Sequence, residues 1–326
     1  MKKAIVVTLL IVTVVVSLFA FAGCNKDKDA ITFLLDWTPN TNHTGLYVAK
    51  ELGYFKEAGF DNVKIEQPGE TGTSMLVASG NAQFGIDFQE QMAPNRDAGI
   101  EVTAIATIIQ HNTSGILSLK EDNIVSAKDM ENKVYATWGL PIEQAIVKKV
   151  MADQGADFDK VVLHPDFVTD ALTALKTGTI DCAWVYEAWD LERAKLEGLD
   201  YNYFSFKSIN PVFDFYSPVI IGNNDYLKNN PEKAKAFLAA VKKGYEYAMA
   251  HPTEAANILC KYAPELDKNL VQSSQKFLAN KYAEEGETWG VIDATRWNNF
   301  YKFLNDNNLV ATPLPENYGF TNDYLA

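Results

Sequence analysis

Residues 36–50 read DWTPNTNHTGLYVAK, and this stretch decides the fold. It follows a short apolar run, Ile31 to Leu35, and its helical pattern ends at Gly53, so it predicts a strand, a polar loop and a helix. Ligands of open α/β sheets bind outside the carboxyl ends of strands, where loops aim side chains at one point. The alternative is a solvated turn around a buried tryptophan. The loop supplies four candidate ligand contacts: Asp36, Trp37, Asn40 and His43.

The chain begins with the features of an export signal. Two lysines precede a long apolar run, and Phe21-Ala22-Gly23-Cys24 resembles a bacterial lipobox. We therefore expect residues 1–23 to be a lipoprotein signal peptide, Cys24 to carry a diacylglyceryl thioether and an N-acyl chain such as palmitate, and residues 24–30 to be a flexible tether. The alternative is an uncleaved transmembrane anchor, which the length of the run allows. Either way, the remainder is expected at the extracytoplasmic face of the cell membrane.

Composition argues against several classes of function. With Cys24 lipidated, only Cys182 and Cys260 remain, which implies no disulfide framework and favours two small core residues. The four histidines lack metal-ligand spacing, so no metal is expected. The formal net charge of −13 disfavours nucleic acid as a partner and favours a soluble monomer. The sequence also lacks a nucleophile elbow, a phosphate loop and a zinc signature, so neither an enzyme nor a cofactor is predicted.

An internal echo predicts two similar lobes. Without the predicted signal peptide the chain has about 300 residues, which is more than one hydrophobic core usually stabilises. Residues 75–88 and 171–186 each read as a helix end, a glycine and a short strand. Such units are common in α/β proteins, so the echo alone does not establish two lobes. Aligning Gly80 with Gly178 places polar and aromatic residues at the outgoing ends of both strands. The candidates there are Glu90, Tyr186, Glu187 and Trp189.

Further candidates lie at other polar breaks between apolar runs. Residues 110–114 separate two β-branched runs and supply Asn112. A predicted strand at 133–137 precedes the turn at Trp138, and Pro141 opens a helix that carries Glu143. Carboxylates recur beside aromatic rings, as in Asp214 and Tyr216, and such pairs suit flat polar heterocycles. A strand predicted at residues 217–222 returns the chain to the first lobe. Helices predicted to begin at residues 231, 252, 270 and 295 cover a lobe.

The stretch 35–45, followed by Gly53-Tyr54-Phe55, resembles solute-binding lipoproteins of ABC importers for thiamine pyrimidine precursors. The similarity continues in Gln110-His111-Asn112-Thr113-Ser114-Gly115, in the turn of residues 138–143, in Asn230-Pro231-Glu232 and in Phe320-Thr321-Asn322-Asp323-Tyr324-Leu325. The resemblance implies binding of formylaminopyrimidine or hydroxymethylpyrimidine, with an ABC permease and its ATPase subunit as partners. Related families bind riboflavin or sulfonates, and these ligands remain alternatives.

The fold implied by the resemblance is α/β, the two-lobed periplasmic-binding-protein type II fold with two hinge crossings. We predict crossings near Asp122 and Phe215. Residues 31–122 and 215–326 then form the first lobe, and residues 123–214 form the second. Closure around a ligand is a population shift driven by contacts that both lobes make with it.

A rival interpretation is enzymatic, because fungal pyrimidine synthases that consume pyridoxal phosphate are similar to this pattern, including a tryptophan and a histidine placed like Trp37 and His43. By that resemblance, a lysine forming the imine and a histidine that is consumed would follow the strand ending at Ile86. This chain has Asp87 and Gln91 there. The cysteine cluster of those synthases is also absent from residues 210–218. We therefore expect a binding protein.

Overall fold

The computed structural model of the protein describes residues 30–325. The predicted signal peptide, Cys24 and most of the tether lie outside these residues. The strands are β1 (Ile31–Leu34), β2 (Val63–Glu66), β3 (Phe84–Asp87), β4 (Val102–Thr107), β5 (Ser114–Leu119), β6 (Val134–Ala136), β7 (Val162–Leu163), β8 (Cys182–Tyr186), β9 (Tyr201–Ser205) and β10 (Val219–Asn223).

The α-helices connect and cover these strands. They are α1 (Thr44–Glu51), α2 (Tyr54–Glu57), α3 (Thr73–Ala78), α4 (Gln89–Asp97), α5 (Pro141–Asp153), α6 (Ala171–Lys176), α7 (Glu192–Leu196), α8 (Phe206–Ile209), α9 (Asn224–Asn229), α10 (Pro231–Ala250), α11 (Pro252–Tyr262), α12 (Lys268–Leu278) and α13 (Ala294–Asp306). A π-helical turn, Glu187–Leu191, precedes α7. Within residues 30–325, every helix is too short or too polar to span a bilayer.

Two five-stranded mixed sheets define two lobes. The first has the order β2-β1-β3-β10-β4 and the second the order β7-β6-β8-β5-β9. In each sheet the first three strands are parallel, and the last two continue in antiparallel pairings. The prediction of two similar α/β lobes is therefore confirmed.

The internal echo of the sequence corresponds to equivalent positions in the two sheets. In the first lobe α3, Gly80 and β3 follow one another, and in the second α6, Gly178 and β8 do. Both glycines have a positive φ, which most residues with a Cβ adopt only with strain. Since β3 and β8 are the central strands, their carboxyl ends point side chains toward the space between the lobes.

The chain first crosses between the lobes earlier than predicted. Strand β5 pairs with β8 and β9 in the second sheet, so the crossing lies between Thr107 and Ser114 and not near Asp122. The prediction placed β5 in the first lobe because its apolar pattern does not specify which sheet it joins. The second crossing lies between β9 and β10, a segment that includes the predicted position at Phe215.

The polar loop after β1 is fixed by its own side chains. The side-chain Oδ1 of Asn40 accepts the backbone N–H of Asn42 at 2.9 Å, which caps a short 3₁₀ turn before α1. The Tyr245 hydroxyl donates to the Asn42 carbonyl oxygen at 2.6 Å. A strand, a capped loop and a helix thus occur as predicted. Helix α10 anchors the loop through the hydrogen bond from Tyr245.

Contact between α1 and α10 requires two glycines. A Cβ on Gly244 would collide with the carbonyl oxygen of Gly45, and a Cβ on Gly45 would collide with the Tyr245 ring. Elsewhere on α10, Phe237 stacks on Phe84 of β3, with ring centroids 4.4 Å apart. The long helix therefore connects the loop after β1 to the core of the first lobe.

Gly244→Ala tests this close approach. Alanine normally stabilises a helix interior by ~1 kcal/mol relative to glycine. Here we expect the opposite sign, a loss of about 1–3 kcal/mol in the free energy of unfolding, because the added methyl group forces α1 and α10 apart. Chemical denaturation measures this loss. Glu246→Ala, at an exposed position on the same helix, is the matched control and should change stability little. Stabilisation by Gly244→Ala would contradict the predicted packing.

Candidate functional site

Two lobes meet where β3, β8 and the segment before β10 end. Ser217 lies between Glu90 of the first lobe and Tyr186 of the second. Its hydroxyl lies 3.4 Å from Glu90 Oε1 and close to the Tyr186 hydroxyl. Burial, with the nearby Glu90 carboxyl group as a smaller contribution, raises the pKa of Tyr186 far above its usual range, so the phenol stays protonated. Two of the predicted residues, Glu90 and Tyr186, are thereby brought together.

Glu90 is buried and only partly satisfied. The residue is 7% exposed, and Oε2 has no hydrogen-bond partner among the described residues. Burial, aided by the nearby Asp87 charge, raises the pKa of Glu90 to about 8. At neutral pH the group is therefore a carboxylic acid that offers one O–H donor and one carbonyl acceptor.

Asp87 is a second buried carboxyl group, at the end of β3. It accepts hydrogen bonds from the Ser74 hydroxyl and, at 3.3 Å, from Asn95 Nδ2. Burial raises its pKa to about 6 despite these donors. Asp87 was not among the ligand contacts predicted from the sequence.

The loop after β1 holds Asp36 next to this pair of acids. His43 is fully buried, and its Nδ1 accepts the backbone N–H of Asn40 at 3.1 Å. The Nε2–H of His43 then donates to Asp36 Oδ1 at 2.5 Å. His43 and Asn40 thus position the loop and Asp36, while the ring of Trp37 is 60% exposed and has free surface. Stacking of Trp37 on a ligand remains a prediction.

Asn112 contributes a free donor in the first crossing. Its Oδ1 accepts both the backbone N–H and the hydroxyl of Ser114, at 2.7 and 2.6 Å. Its Nδ2 is buried and unpartnered within the part of the chain that the structure describes. Since Ser114 pairs with Tyr186 in the sheet, this donor lies near the ends of the central strands. Asp214 accepts the Asn112 backbone N–H at 2.9 Å, so it connects the two crossings.

Three other candidates are engaged in structural contacts. Glu143 accepts hydrogen bonds from the hydroxyls of Tyr135 and, at 2.9 Å, Thr137. Trp138 packs on Trp184, with ring centroids 4.9 Å apart. The buried hydroxyl of Tyr216 accepts the Asp293 backbone N–H at 2.8 Å. For Trp138, Glu143 and Tyr216, these contacts support a structural role, and their contact with a ligand stays a prediction.

Glu187 and Trp189 lie on the π-helical turn after β8. The backbone N–H of Glu187 donates to Thr113 at 2.9 Å, and its Oε1 accepts the Tyr203 hydroxyl at 3.2 Å. Trp189 packs against an apolar cluster of the first lobe. Glu187 therefore borders the crossing, and Trp189 joins the lobes.

Ser217 and Asp190 were missed in the sequence analysis. Asp190 accepts the backbone N–H of Tyr186 at 3.1 Å, and burial raises its pKa to about 6. The only sequence signal was that Asp190 follows the predicted strand β8 by a few residues. Ser217 has no local signal, because it approaches Glu90 and Tyr186 only through the fold.

The electrostatics of this cleft are acidic. The neighbouring groups that raise the pKa values of Glu90, Asp87 and Tyr186 include the acidic side chains of Asp36 and Asp190. Such a site disfavours anions and suits an uncharged or cationic ligand with several hydrogen-bond donors.

Comparisons with known proteins agree with this geometry. The family model described as NMT1/THI5 like matches residues 40–255. The formylaminopyrimidine-binding protein of Halalkalibacterium halodurans is 27% identical over 93% of this chain and 95% of its own length. The 4-amino-5-hydroxymethyl-2-methylpyrimidine phosphate synthase of Candida albicans is 27% identical over 91% of this chain and 88% of its own.

Solved structures show the same fold. The alkanesulfonate-binding protein SsuA of Xanthomonas axonopodis superposes with a TM-score of 0.69 at 11% identity, over 90% of this chain and 98% of its own. The aliphatic sulphonate binding protein SsuA of Escherichia coli superposes with a TM-score of 0.67 at 13% identity, over 88% of this chain and 90% of its own. The two-lobed periplasmic-binding-protein fold is therefore confirmed, while a likeness at this identity concerns the fold alone.

Proposed function

The chain belongs to the NMT1/THI5-like family, and from this premise we propose that it is the extracytoplasmic solute-binding component of an ABC importer. The ligand is a thiamine pyrimidine precursor, formylaminopyrimidine or hydroxymethylpyrimidine, bound between the lobes. The permease and its ATPase subunit are the partners to which the protein delivers it. A relative of nearly the same length, named as a formylaminopyrimidine-binding protein, supports this assignment.

The observation that carries the proposal is the buried Oε2 of Glu90, which has no hydrogen-bond partner among the described residues. An aminopyrimidine presents a ring nitrogen that accepts and a neighbouring amino group that donates. A neutral carboxyl group complements this edge, since its O–H donates to the ring nitrogen and its carbonyl oxygen accepts from the amino group. The buried Nδ2 of Asn112 is available for a further acceptor of the ligand. Binding would thus satisfy two polar groups that are otherwise buried without partners.

The same observation separates pyrimidines from sulfonates. A sulfonate is a permanent anion, and its burial requires hydrogen-bond donors or positive charge. The cleft instead contains the charges of Asp36 and Asp87, which repel an anion, and a neutral Glu90, which supplies no positive charge. The structural similarity to sulfonate-binding proteins therefore concerns the fold and does not extend to the ligand.

Tryptophan fluorescence titration tests the ligand. We expect saturable binding of the two pyrimidines and much weaker binding of riboflavin, taurine and thiamine. Glu90→Ala should lower pyrimidine affinity about tenfold or more, since losing one good hydrogen bond to a buried group costs on the order of 1–3 kcal/mol. Glu90→Gln is the matched control, because an amide also offers one N–H donor and one carbonyl acceptor, and it should retain most of the affinity.

The pH profile sharpens this test. The neutral form of Glu90 persists up to its raised pKa of about 8. Between the pKa of Asp87, about 6, and that of Glu90, affinity should be constant, and above pH 8 it should fall about tenfold per pH unit. Glu90→Gln should remove this fall. Pyrimidine binding by Glu90→Ala that equals the parent protein would remove Glu90 from the site, and tight taurine binding would overturn the ligand assignment.

We further propose that the protein has no synthase activity. Asp87 occupies the position where the resemblance implies an imine-forming lysine, and a carboxylate cannot form an imine. It is held there by Ser74 and Asn95, and the amide of Gln91 also donates to Asn95 at 3.3 Å. The local structure is therefore organised around a carboxyl group.

Incubation with pyridoxal phosphate and iron tests for synthase activity. We expect neither an imine absorbance band nor pyrimidine product, and Asp87→Lys serves as a comparison in which an amine stands at this position. An imine band or pyrimidine product from the parent protein would refute the binding-protein assignment.

Lipid anchoring at Cys24 is part of the same proposal, with residues 1–23 as the signal peptide and the cell membrane as the location. Cys24→Ala should release the protein from the membrane or leave it unprocessed, which fractionation and mass measurement detect. Continued anchoring of the variant through its intact apolar run would favour the transmembrane alternative. We also propose that the protein is a monomer, because its strongly acidic surface disfavours self-association.

A further inference from the structure

The two lobes touch each other directly at a place outside the cluster of Glu90, Ser217 and Tyr186. On the second lobe, Trp189 lies on the π-helical turn Glu187–Leu191. Its ring packs against the first lobe on a cluster formed by Tyr47 of α1, Ala256 and Leu259 of α11, and Val271 of α12. This packing joins residues of different sheets and removes apolar surface from water only while the lobes are together.

A polar contact lies beside this packing. Glu192 is 7% exposed, and its Oε2 accepts the hydroxyl of Ser273 on α12 at 2.5 Å. Its Oε1 accepts Lys195 Nζ, of its own lobe, at 2.6 Å. Separation of the lobes would leave the ion pair with Lys195 in place but would break the bond with Ser273. Glu192 is thus a carboxylate whose second partner comes from the opposite lobe.

The local backbone supports a functional interpretation. A π-helical turn is rare and occurs frequently at functional sites, because it holds one more residue than an α-helical turn. Here the turn begins at Glu187, next to the crossing at Thr113, and continues directly into α7, which carries Glu192. One irregular element therefore connects the crossing to both interlobe contacts.

We propose that Trp189, Glu192 and Ser273 form a latch that sets the equilibrium between open and closed lobes independently of the ligand. Contacts that exist only in the closed state raise the population of that state. Since a ligand held by both lobes binds the closed state, the latch multiplies the affinity for every such ligand by the same factor. The residues around Glu90 determine which ligand binds, and the latch determines how tightly.

The test compares ligand-free conformation with ligand selectivity. Small-angle X-ray scattering of the ligand-free protein should show a larger radius of gyration for Trp189→Ala and Ser273→Ala than for the parent. Titration with hydroxymethylpyrimidine and formylaminopyrimidine should show Kd raised about tenfold or more by Trp189→Ala. Ser273→Ala removes one hydrogen bond and should raise Kd by roughly two- to tenfold. The ratio of the two Kd values should not change in either variant.

Phe167→Ala is the matched control, because this ring is 66% exposed on the second lobe and lies outside the latch; it should leave both the scattering and Kd unchanged. Ser273→Ala keeps the test decisive if Trp189→Ala does not fold. The scattering result decides the question even if neither pyrimidine binds, so the latch and the proposed ligand fail separately. Unchanged ligand-free scattering in both variants, or an altered ratio of the Kd values in Ser273→Ala, would overturn the latch.

Discussion

The structure depends on the pairing of its two crossings through Asp214. One oxygen of this carboxylate accepts the backbone N–H of Asn112 at 2.9 Å, and the other lies 2.5 Å from His111 Nδ1. The second crossing is thereby bonded to the first at the point where both leave the lobes. Since each lobe has its own sheet, these segments determine how β3 and β8 face each other. The approach of Glu90 to Tyr186 follows from this arrangement.

The cleft contains buried carboxyl groups at positions where apolar side chains would stabilise the fold more. Burial of an ionised carboxyl group is costly, and proteins avoid the cost by pairing the group or by keeping it protonated. Asp36 is paired with His43, Asp87 receives two side-chain donors, and Glu90 stays neutral to about pH 8. Three different solutions within one small region fit the proposed role of these acids in ligand binding, since apolar residues would favour stability more.

Sequence patterns predicted local elements well and long-range arrangement less well. The apolar run before Asp36, the two glycines of the echo and the proline-initiated helices each gave the correct element, because caps, turns and periodicity act over a few residues. The first crossing was placed near Asp122, too late in the chain, since strand β5 has the same apolar pattern in either sheet. Ser217 could not be predicted for a related reason. Only the pairing of β10 with β3 brings this residue close to Glu90.

A binding protein built in this way separates selectivity from affinity. In the proposed mechanism, the polar groups around Glu90 favour ligands with one pattern of hydrogen-bond donors and acceptors. The packing of Trp189 on the first lobe stabilises the closed state with any ligand. Selection could then adjust affinity at the π-helical turn without disturbing recognition in the cleft. A transporter of the proposed kind benefits from this separation, because its binding protein must hold one ligand in preference to similar ones and must still release it. Since release requires the lobes to part, the strength of the latch limits how tightly a ligand can be held before delivery becomes slow.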